Sequence, residues 1–392
     1  MSSRHPFFVL LHIIQSMAGI YIHIPFCKSR CTYCNFYSTT NLSLLDELVN
    51  AICKEMCTQM PYIVNETIET IYFGGGTPSL LKEKHFIALF EQLSKLYNIS
   101  NKAEITLEAN PDDLSIDYIQ LLKRFPFNRI SIGIQSFINK ELKLINRRHS
   151  AIQALEAVSL CQQHGFENIS VDLIYGYPSQ LTNNLSTSID KLLSIRPKHI
   201  SAYLLSYEKS TALYQQLIRH EISEINEETA REMYKMLHNK LTKAGYIAYE
   251  ISNFALPGFE SKHNSAYWAG KHYLGLGPAA HSYNGSTRKW NVSNLNTYLN
   301  GIKHNTEIAT LETLTEKEKY NEYLLTALRT NQGISIEFLV QHFGQERMQL
   351  LKNQSLRYIN NGLLAVSGNS LRLTLDGFLI SDNIIADLMW ID

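Results

Sequence analysis

Beyond Met17, short runs of β-branched and aromatic residues alternate with longer segments of helical spacing. The strand-like runs are GIYIHI (19–24), TIETIYF (67–73), AEITLEA (103–109), RISIGI (129–134), ISVDLIY (169–175) and HISAYLL (199–205). Between them lie stretches such as SLLDELVNAICKEM and SAIQALEAVSLCQQHG, with apolar residues three and four apart. Gly165 closes the second of these as a helix C-cap. Repeated β-then-α units imply parallel strands joined by right-handed helical crossovers. Six such units favour an open or partial (β/α) barrel over a doubly wound sheet, although the pattern alone does not separate the two.

A seventh β-rich run, GYIAYEISNFA (245–255), leads into HNSAYWAGKHYLGLGPAAHSYNG, whose glycine and aromatic content predicts a structured loop region and not a helix. From about residue 310 the pattern changes. TEKEKYNEYLLTALRT, SIEFLVQHFG and ERMQLLKNQSLRYINNG read as three helices. LLAVSGNSLRLTL reads as a hairpin turning at Gly368-Asn369, with a last helix after it. Three helices and a hairpin outline a winged-helix-like α+β unit. The expected organisation is an extension over 1–16, a core over 17–255, a connecting segment over 256–310 and a C-terminal domain over 311–392.

Composition narrows the function classes. The 392 residues are 45% hydrophobic, enough for a large core, and Lys plus Arg equals Asp plus Glu, giving no net charge. No field of one sign invites nucleic acid or an acidic membrane. The C-terminal unit is slightly acidic, so it reads as a packing or lid domain, not a phosphate-binding one. Six cysteines are too few and too clustered for a secreted disulfide framework, which points to reduced thiols and a cytoplasmic home. RHPFFVLLHII (4–14) imitates the apolar part of a signal peptide, yet is too short to span a bilayer as a helix. Residues 1–16 are therefore expected to be a disordered, dispensable extension, with Met17 as an alternative start.

Chemistry concentrates in IHIPFCKSRCTYCNFYS. Cys27, Cys31 and Cys34 form C-x3-C-x2-C directly after the first strand, and no C-x2-C partner exists to complete a structural zinc site. Three thiolates on a four-iron cluster leave one iron open to a further ligand. Cys53, Cys57 and Cys161 sit in helical segments and are expected to be core packing. FGGGTPS follows the second strand, where glycines let backbone approach a ligand. Glu108, Gln135 and Asp172 fall near the ends of strands three, four and five, where a (β/α) barrel presents its working groups.

On these residues the chain resembles the radical S-adenosylmethionine (SAM) superfamily. The resemblance implies a partial (β/α)6 barrel, a [4Fe–4S] cluster on the three cysteines, and S-adenosylmethionine on the open iron, where cleavage yields a 5′-deoxyadenosyl radical. The stretches YIHIPFC, FGGGTPSLL, LEANPDDL, RISIGIQSF, INRRH, VDLIYGYP and SAYLLSYEKST are similar to the oxygen-independent coproporphyrinogen III oxidase-like group. That group contains decarboxylating oxidases and haem chaperones of the HemW type.

Carried over by motif, Tyr21, Gly74, Gly75 and Glu108 would contact the cofactor at the cluster. Tyr33, Gly76, Thr77, Gln135, Arg147, Asp172 and Ala202 would line the remaining cofactor or substrate space. Phe36 stands where the oxidases carry a further cysteine, and only 26 residues precede Cys27; both speak for the chaperone branch. HNSAYW matches that branch's H-N-x-x-Y-W motif, so the resemblance implies His263 as a haem ligand beside Tyr267 and Trp268. His272 and His281 are weaker candidates. The expected partners are haem as cargo, haem-accepting proteins, an electron donor for the cluster, and a membrane only transiently through the acceptor. The competing expectation is coproporphyrinogen III dehydrogenase.

Overall fold

The computed structural model describes residues 17–391. The expectation for residues 1–16 lies outside the described residues. Six parallel strands form the barrel: β1 Met17–Ile24, β2 Thr67–Gly75, β3 Asn98–Ala109, β4 Arg129–Gln135, β5 Asn168–Tyr175 and β6 His199–Leu204. Each is followed by at least one helix, as the alternating pattern requires. In β1 the residues Ile20, Ile22 and Ile24 are fully buried against the helical layer. The alternate positions Tyr21 and His23 face the interior, as a two-residue period dictates.

That interior is unusually polar for a parallel sheet, whose faces are normally both apolar. Tyr72 of β2 reaches Glu108 of β3, Ser131 of β4 reaches Asp172 of β5, and Ser170 of β5 reaches His199 of β6. Buried polar groups persist where partners or ligands satisfy them. The barrel lumen is thus built to bind.

The barrel is partial. β1 pairs with β2 and with β9 (His272–Leu276), while β6 pairs with β5 and with β8 (Asn253–Ala255), so β1 and β6 never meet. With β7 (Ile247–Ala248), β10 (His281–Tyr283), β11 (Thr287–Asn291) and β12 (Ala309–Thr313), one sheet runs β12-β11-β10-β9-β1-β2-β3-β4-β5-β6-β8-β7. The helix Leu295–His304 adds Leu295, Tyr298, Leu299 and Ile302 to the barrel core. The segment 256–310 therefore packs as part of the barrel and is not a mere connection.

The expectation of a loop over 263–285 is corrected. Lys262–Trp268 is a helix, and β9 and β10 follow it. Ser261 caps the helix by accepting from the Asn264 N–H, and the buried Glu104 of β3 accepts from the N–H groups of Lys262 and His263. Seven residues are too few to hold a helix alone. A carboxylate from a distant strand does it.

The C-terminal unit has its own core, including Tyr320, Leu324, Leu339, Leu351, Leu371 and Ile384. It contains the helix Glu316–Ala327 and a helical run Ile336–Asn360, broken at Gly344 by φ 84° and ψ 166°. The hairpin Leu364–Ser367 with Ser370–Leu373 turns at Gly368-Asn369 and takes Ile334–Ser335 as a third strand. This is the winged-helix-like outline. No helix among the described residues is long and apolar enough to cross a membrane.

Candidate functional site

Cys27, Cys31 and Cys34 occupy one loop at the carboxyl end of β1. The loop is pinched at its base, where the Cys27 N–H donates to Thr39 O at 3.0 Å and the Thr39 N–H to Pro25 O at 2.7 Å. Its outer turn is tied to the far side of the barrel by Thr32 N–H to Ile145 O at 3.2 Å and by Asn146 Nδ2 to Arg30 O at 2.8 Å. These bonds hold the loop at its base and at its outer turn. All three thiols are free and partly exposed. No trio of His, Cys, Asp or Glu among the described residues converges to hold a single metal ion. Thiolates that each serve a different iron of a cluster do not need such convergence.

A cavity of about 510 Å³ opens beside this loop, and its walls include the three cysteines, Tyr33, Gly75, Gly76, Thr77, Glu108, Gln135, Arg147 and Asp172. The donor set suits an anionic cluster. The Thr77 hydroxyl lies 3.5 Å from Cys27 Sγ and Arg147 Nη1 lies 3.5 Å from Cys31 Sγ. Arg147 Nη2 donates to Asn110 Oδ1 at 2.6 Å and to Gly133 O, whereas its buried Nε has no partner. A buried guanidinium nitrogen without a partner is costly unless a ligand oxygen meets it. Burial pushes the Cys27 and Cys34 thiols up.

The glycine run is shaped by close approach. A Cβ on Gly75, at φ +108°, would strike the His23 ring at 2.6 Å, and one on Gly76 would strike Phe26 O at 2.7 Å. The Gly75 N–H donates to Glu108 Oε2 at 3.1 Å, and the Tyr72 hydroxyl donates to Oε1 at 2.8 Å. Burial, helped by the nearby Asp172 charge, lifts the Glu108 carboxyl to about 7. Asp172 is likewise pushed up by burial. Two buried carboxyls near one orphaned guanidinium nitrogen can take a ligand that bears both an amino group and a carboxylate.

Not every expected residue lines this cavity. Gly74 lies just below, packed between Tyr72, Tyr21 and Glu108, and Ala202 is buried with its N–H donated to Ser252 O. Tyr21 faces a second, larger cavity of about 1720 Å³, together with Tyr267, Trp268 and His281. Among the lining residues, Phe36 is shared by both cavities, and it is 64% exposed.

The structure gives His263 neighbours that the sequence did not suggest. Its Nδ1 is 2.7 Å from Thr70 Oγ1 and its Nε2 is 2.8 Å from the Tyr267 hydroxyl. Its ring stacks on Tyr72 at 5.0 Å between centroids. Burial, with the Arg129 charge nearby, lowers its pKa to about 3, so the ring is neutral at physiological pH. With both nitrogens engaged, the imidazole turns no lone pair to the cavity. It braces the barrel floor, and through Tyr72 it supports Glu108. His263→Ala is expected to cost about 3 kcal/mol of stability, from a buried void and two hydroxyls left unpaired. The readout is a lower urea midpoint with cluster iron retained. An unchanged midpoint would refute the bracing role.

Tyr72, Thr70, Asn110 and Gly133 went unnoticed in the sequence. For Thr70, Tyr72 and Gly74 the signal was present, since they share one face of β2 by their two-residue spacing. His272 lies 2.6 Å from Glu66 and lines neither cavity. Cys161 is buried in the barrel core and Cys53 packs against it, but Cys57 is exposed with Gln92 Nε2 2.7 Å from its sulfur, which corrects its expected place in the core.

Comparison with known proteins yields a consistent set. The Radical SAM superfamily pattern matches residues 21–192, and the HemN C-terminal domain pattern matches residues 314–380. The chain is 32% identical to Heme chaperone HemW of Lactococcus lactis over 95% of its own length and 97% of that protein's. It is 33% identical to Heme chaperone HemW of Bacillus subtilis over 94% and 98%. A mitochondrial radical S-adenosyl methionine domain-containing protein 1 of Bos taurus is 32% identical over 95% and 87%. Among solved structures, coproporphyrinogen III oxidase of Escherichia coli, a radical SAM enzyme, superposes with a TM-score of 0.83. It is 21% identical and is matched over 96% of this chain and 90% of that one, which speaks to fold alone.

Proposed function

The chain belongs to the Heme chaperone HemW family of radical SAM proteins, and from that membership we propose that it binds haem as cargo and passes it to haem-requiring proteins. The observation that carries this reading is near-full-length similarity to proteins named for that role. Haem-accepting proteins are the proposed partners, with an electron donor for the cluster and membrane contact only through the acceptor. The proposed location is the cytoplasm. Nucleic acid has no place in this reading.

Cys27, Cys31 and Cys34 would hold a [4Fe–4S] cluster, and Arg147 and Thr77 would donate toward its sulfur ligands, at the distances of 3.5 Å already present. Glu108 would accept from the amino group of S-adenosylmethionine and Arg147 Nε would meet its carboxylate. The bound cluster would supply one-electron reducing power. Tyr33, Gln135 and Asp172 would line the remaining space, and Gly75 and Gly76 would let backbone approach the cofactor. Asp172, pushed up by burial, would take a proton more readily than an exposed carboxylate.

The fold is shared with an oxidase, so the test sets the two activities side by side. The cluster-loaded protein is supplied anaerobically with S-adenosylmethionine, a reductant and either hemin or coproporphyrinogen III. The expected result is stoichiometric hemin binding and transfer to an apo-haem protein, with no protoporphyrinogen IX formed. Sustained decarboxylation would replace the chaperone reading with the oxidase.

A further inference from the structure

We infer that Glu141 is a positioning residue for the cluster cavity: its carboxylate ties the loop after β4 to the loop after β5 and so holds Gln135 in a left-handed turn at the cavity wall. The inference rests on the reading above that S-adenosylmethionine binds beside the cluster, and it names a residue that acts on that site without touching the cofactor.

Gln135 ends β4 at φ +69°, a region that a residue with a Cβ enters only at a cost. The Ser136 N–H donates to Ile134 O at 2.9 Å, which closes a three-residue γ-turn around Gln135. With positive φ at its centre, this is the rare and strained hand of that turn. Such a conformation persists only where its surroundings over-determine it. Here both carbonyls of the turn are held. His149 Nε2 donates to Ile134 O at 3.0 Å, and the Tyr177 hydroxyl donates to Gln135 O at 3.1 Å. The strain sits at a working position, because Gln135 lines the cluster cavity with Arg147 and Asp172 and its amide can both donate and accept.

Glu141, on the short helix Asn139–Leu144, is buried. Its Oε2 accepts from the Ser136 hydroxyl, whose oxygen in turn accepts from the Ile138 N–H at 2.9 Å. Its Oε1 accepts from Gln180 Nε2 at 3.0 Å. Gln180 Oε1 then accepts from the N–H groups of Gly176 at 2.7 Å and Tyr177 at 3.3 Å. Since the Tyr177 hydroxyl returns to Gln135 O, these bonds form a closed ring that starts and ends at the strained turn. Ser136, Tyr177 and Gln180 are buried as well, and a buried network with every member satisfied is rigid. Glu141 must accept on both sides, which a carboxylate does and an amide does not.

The test compares Glu141→Gln with the exchange of Glu141→Gln and Gln180→Glu together. In the single variant two amide nitrogens meet and the ring opens. In the exchange the bond between the two side chains is remade with its direction reversed, and the carboxylate at 180 still accepts from Gly176 and Tyr177. Asn184, a further donor to Glu141, can turn its amide to suit either residue. Anaerobic cluster-loaded protein is titrated with S-adenosylmethionine by calorimetry, and the same samples are melted. Glu141→Gln is expected to weaken binding roughly three- to tenfold with cluster iron retained, the loss of about one hydrogen bond, and the exchange to restore it. In a Gln135→Gly background, Glu141→Gln should cost no further affinity, because the side chain it positions is gone. Gln135→Gly should itself raise the melting temperature by roughly 1–3 °C by relieving the positive φ, and by less once Glu141→Gln has released the turn. Unchanged affinity in Glu141→Gln, or the same loss again in the Gln135→Gly background, would overturn the positioning role. Failure of the unsubstituted protein to bind S-adenosylmethionine would strike the cofactor reading instead. The melts would then decide on their own, and equal gains from Gln135→Gly with and without Glu141→Gln would refute the hold on the turn.

Discussion

Cys31→Ala is expected to reduce iron and acid-labile sulfide to background while leaving the chain folded. The loss should be complete, because three thiolates already leave one iron without a protein ligand, and two cannot hold the cluster. Folding should survive, because backbone bonds and not metal shape the loop, through Cys27 to Thr39, Thr39 to Pro25 and Thr32 to Ile145. Alanine at Cys53, Cys57 or Cys161 should retain full iron. Cys161 is enclosed in the barrel core, while Cys53 and Cys57 lie on the helix Leu45–Gln59 with their sulfurs directed at Ala88 O and Gln92. The check is iron and sulfide per chain after anaerobic reconstitution, with thermal melting as the fold control. A Cys31→Ala protein with a full complement of iron would end the assignment.

The cluster loop was readable from sequence because its meaning is local: three cysteines in eight residues, directly after a strand. The barrel strands were readable for the same kind of reason. Ile20, Ile22 and Ile24 alternate with polar or aromatic residues, and an apolar row against helices is a short-range pattern. Where the reading failed, the deciding contacts are remote in sequence. The helix Lys262–Trp268 exists because Glu104 of β3 takes its first N–H groups, and nothing within HNSAYW announces Glu104. The strand β9 joins the sheet by pairing with β1, Ala18 opposite His272, far apart in the chain. For His263, expected as a haem ligand from its motif, the fold adds what the motif does not announce, Thr70 and Tyr267 at its nitrogens. The larger cavity has one wall from each unit, so no single stretch of sequence could display it.

Glu108 shows how the fold trades stability for binding. Glu108→Ala is expected to weaken S-adenosylmethionine binding by roughly ten- to hundredfold with the cluster intact, since a hydrogen bond to a charged group contributes about 1.5–3 kcal/mol. The pH dependence gives a second signature. Burial lifts the carboxyl from its usual 4.5 to about 7, so below neutrality the unliganded protein holds the proton. An amino group favours the carboxylate, and binding should therefore weaken as pH falls below 7, approaching tenfold per unit. Glu108→Gln should bind weakly with a flatter dependence. Folding responds in the opposite sense. A carboxyl raised above its unfolded value carries no penalty at pH 4 and an increasing one as pH climbs through 4.5 to 7. The upper bound is about 3 kcal/mol by linkage. Glu108→Gln should accordingly melt higher than the unsubstituted protein at pH 8, by more than at pH 5, provided its amide keeps the bonds to Tyr72 and Gly75. Isothermal titration calorimetry and thermal melts at those two pH values read both effects on the same samples. Equal affinities for the two proteins at every pH would move the amino group away from Glu108, and a lower melting temperature for the variant at pH 8 would show that this carboxylate stabilises the barrel instead of straining it.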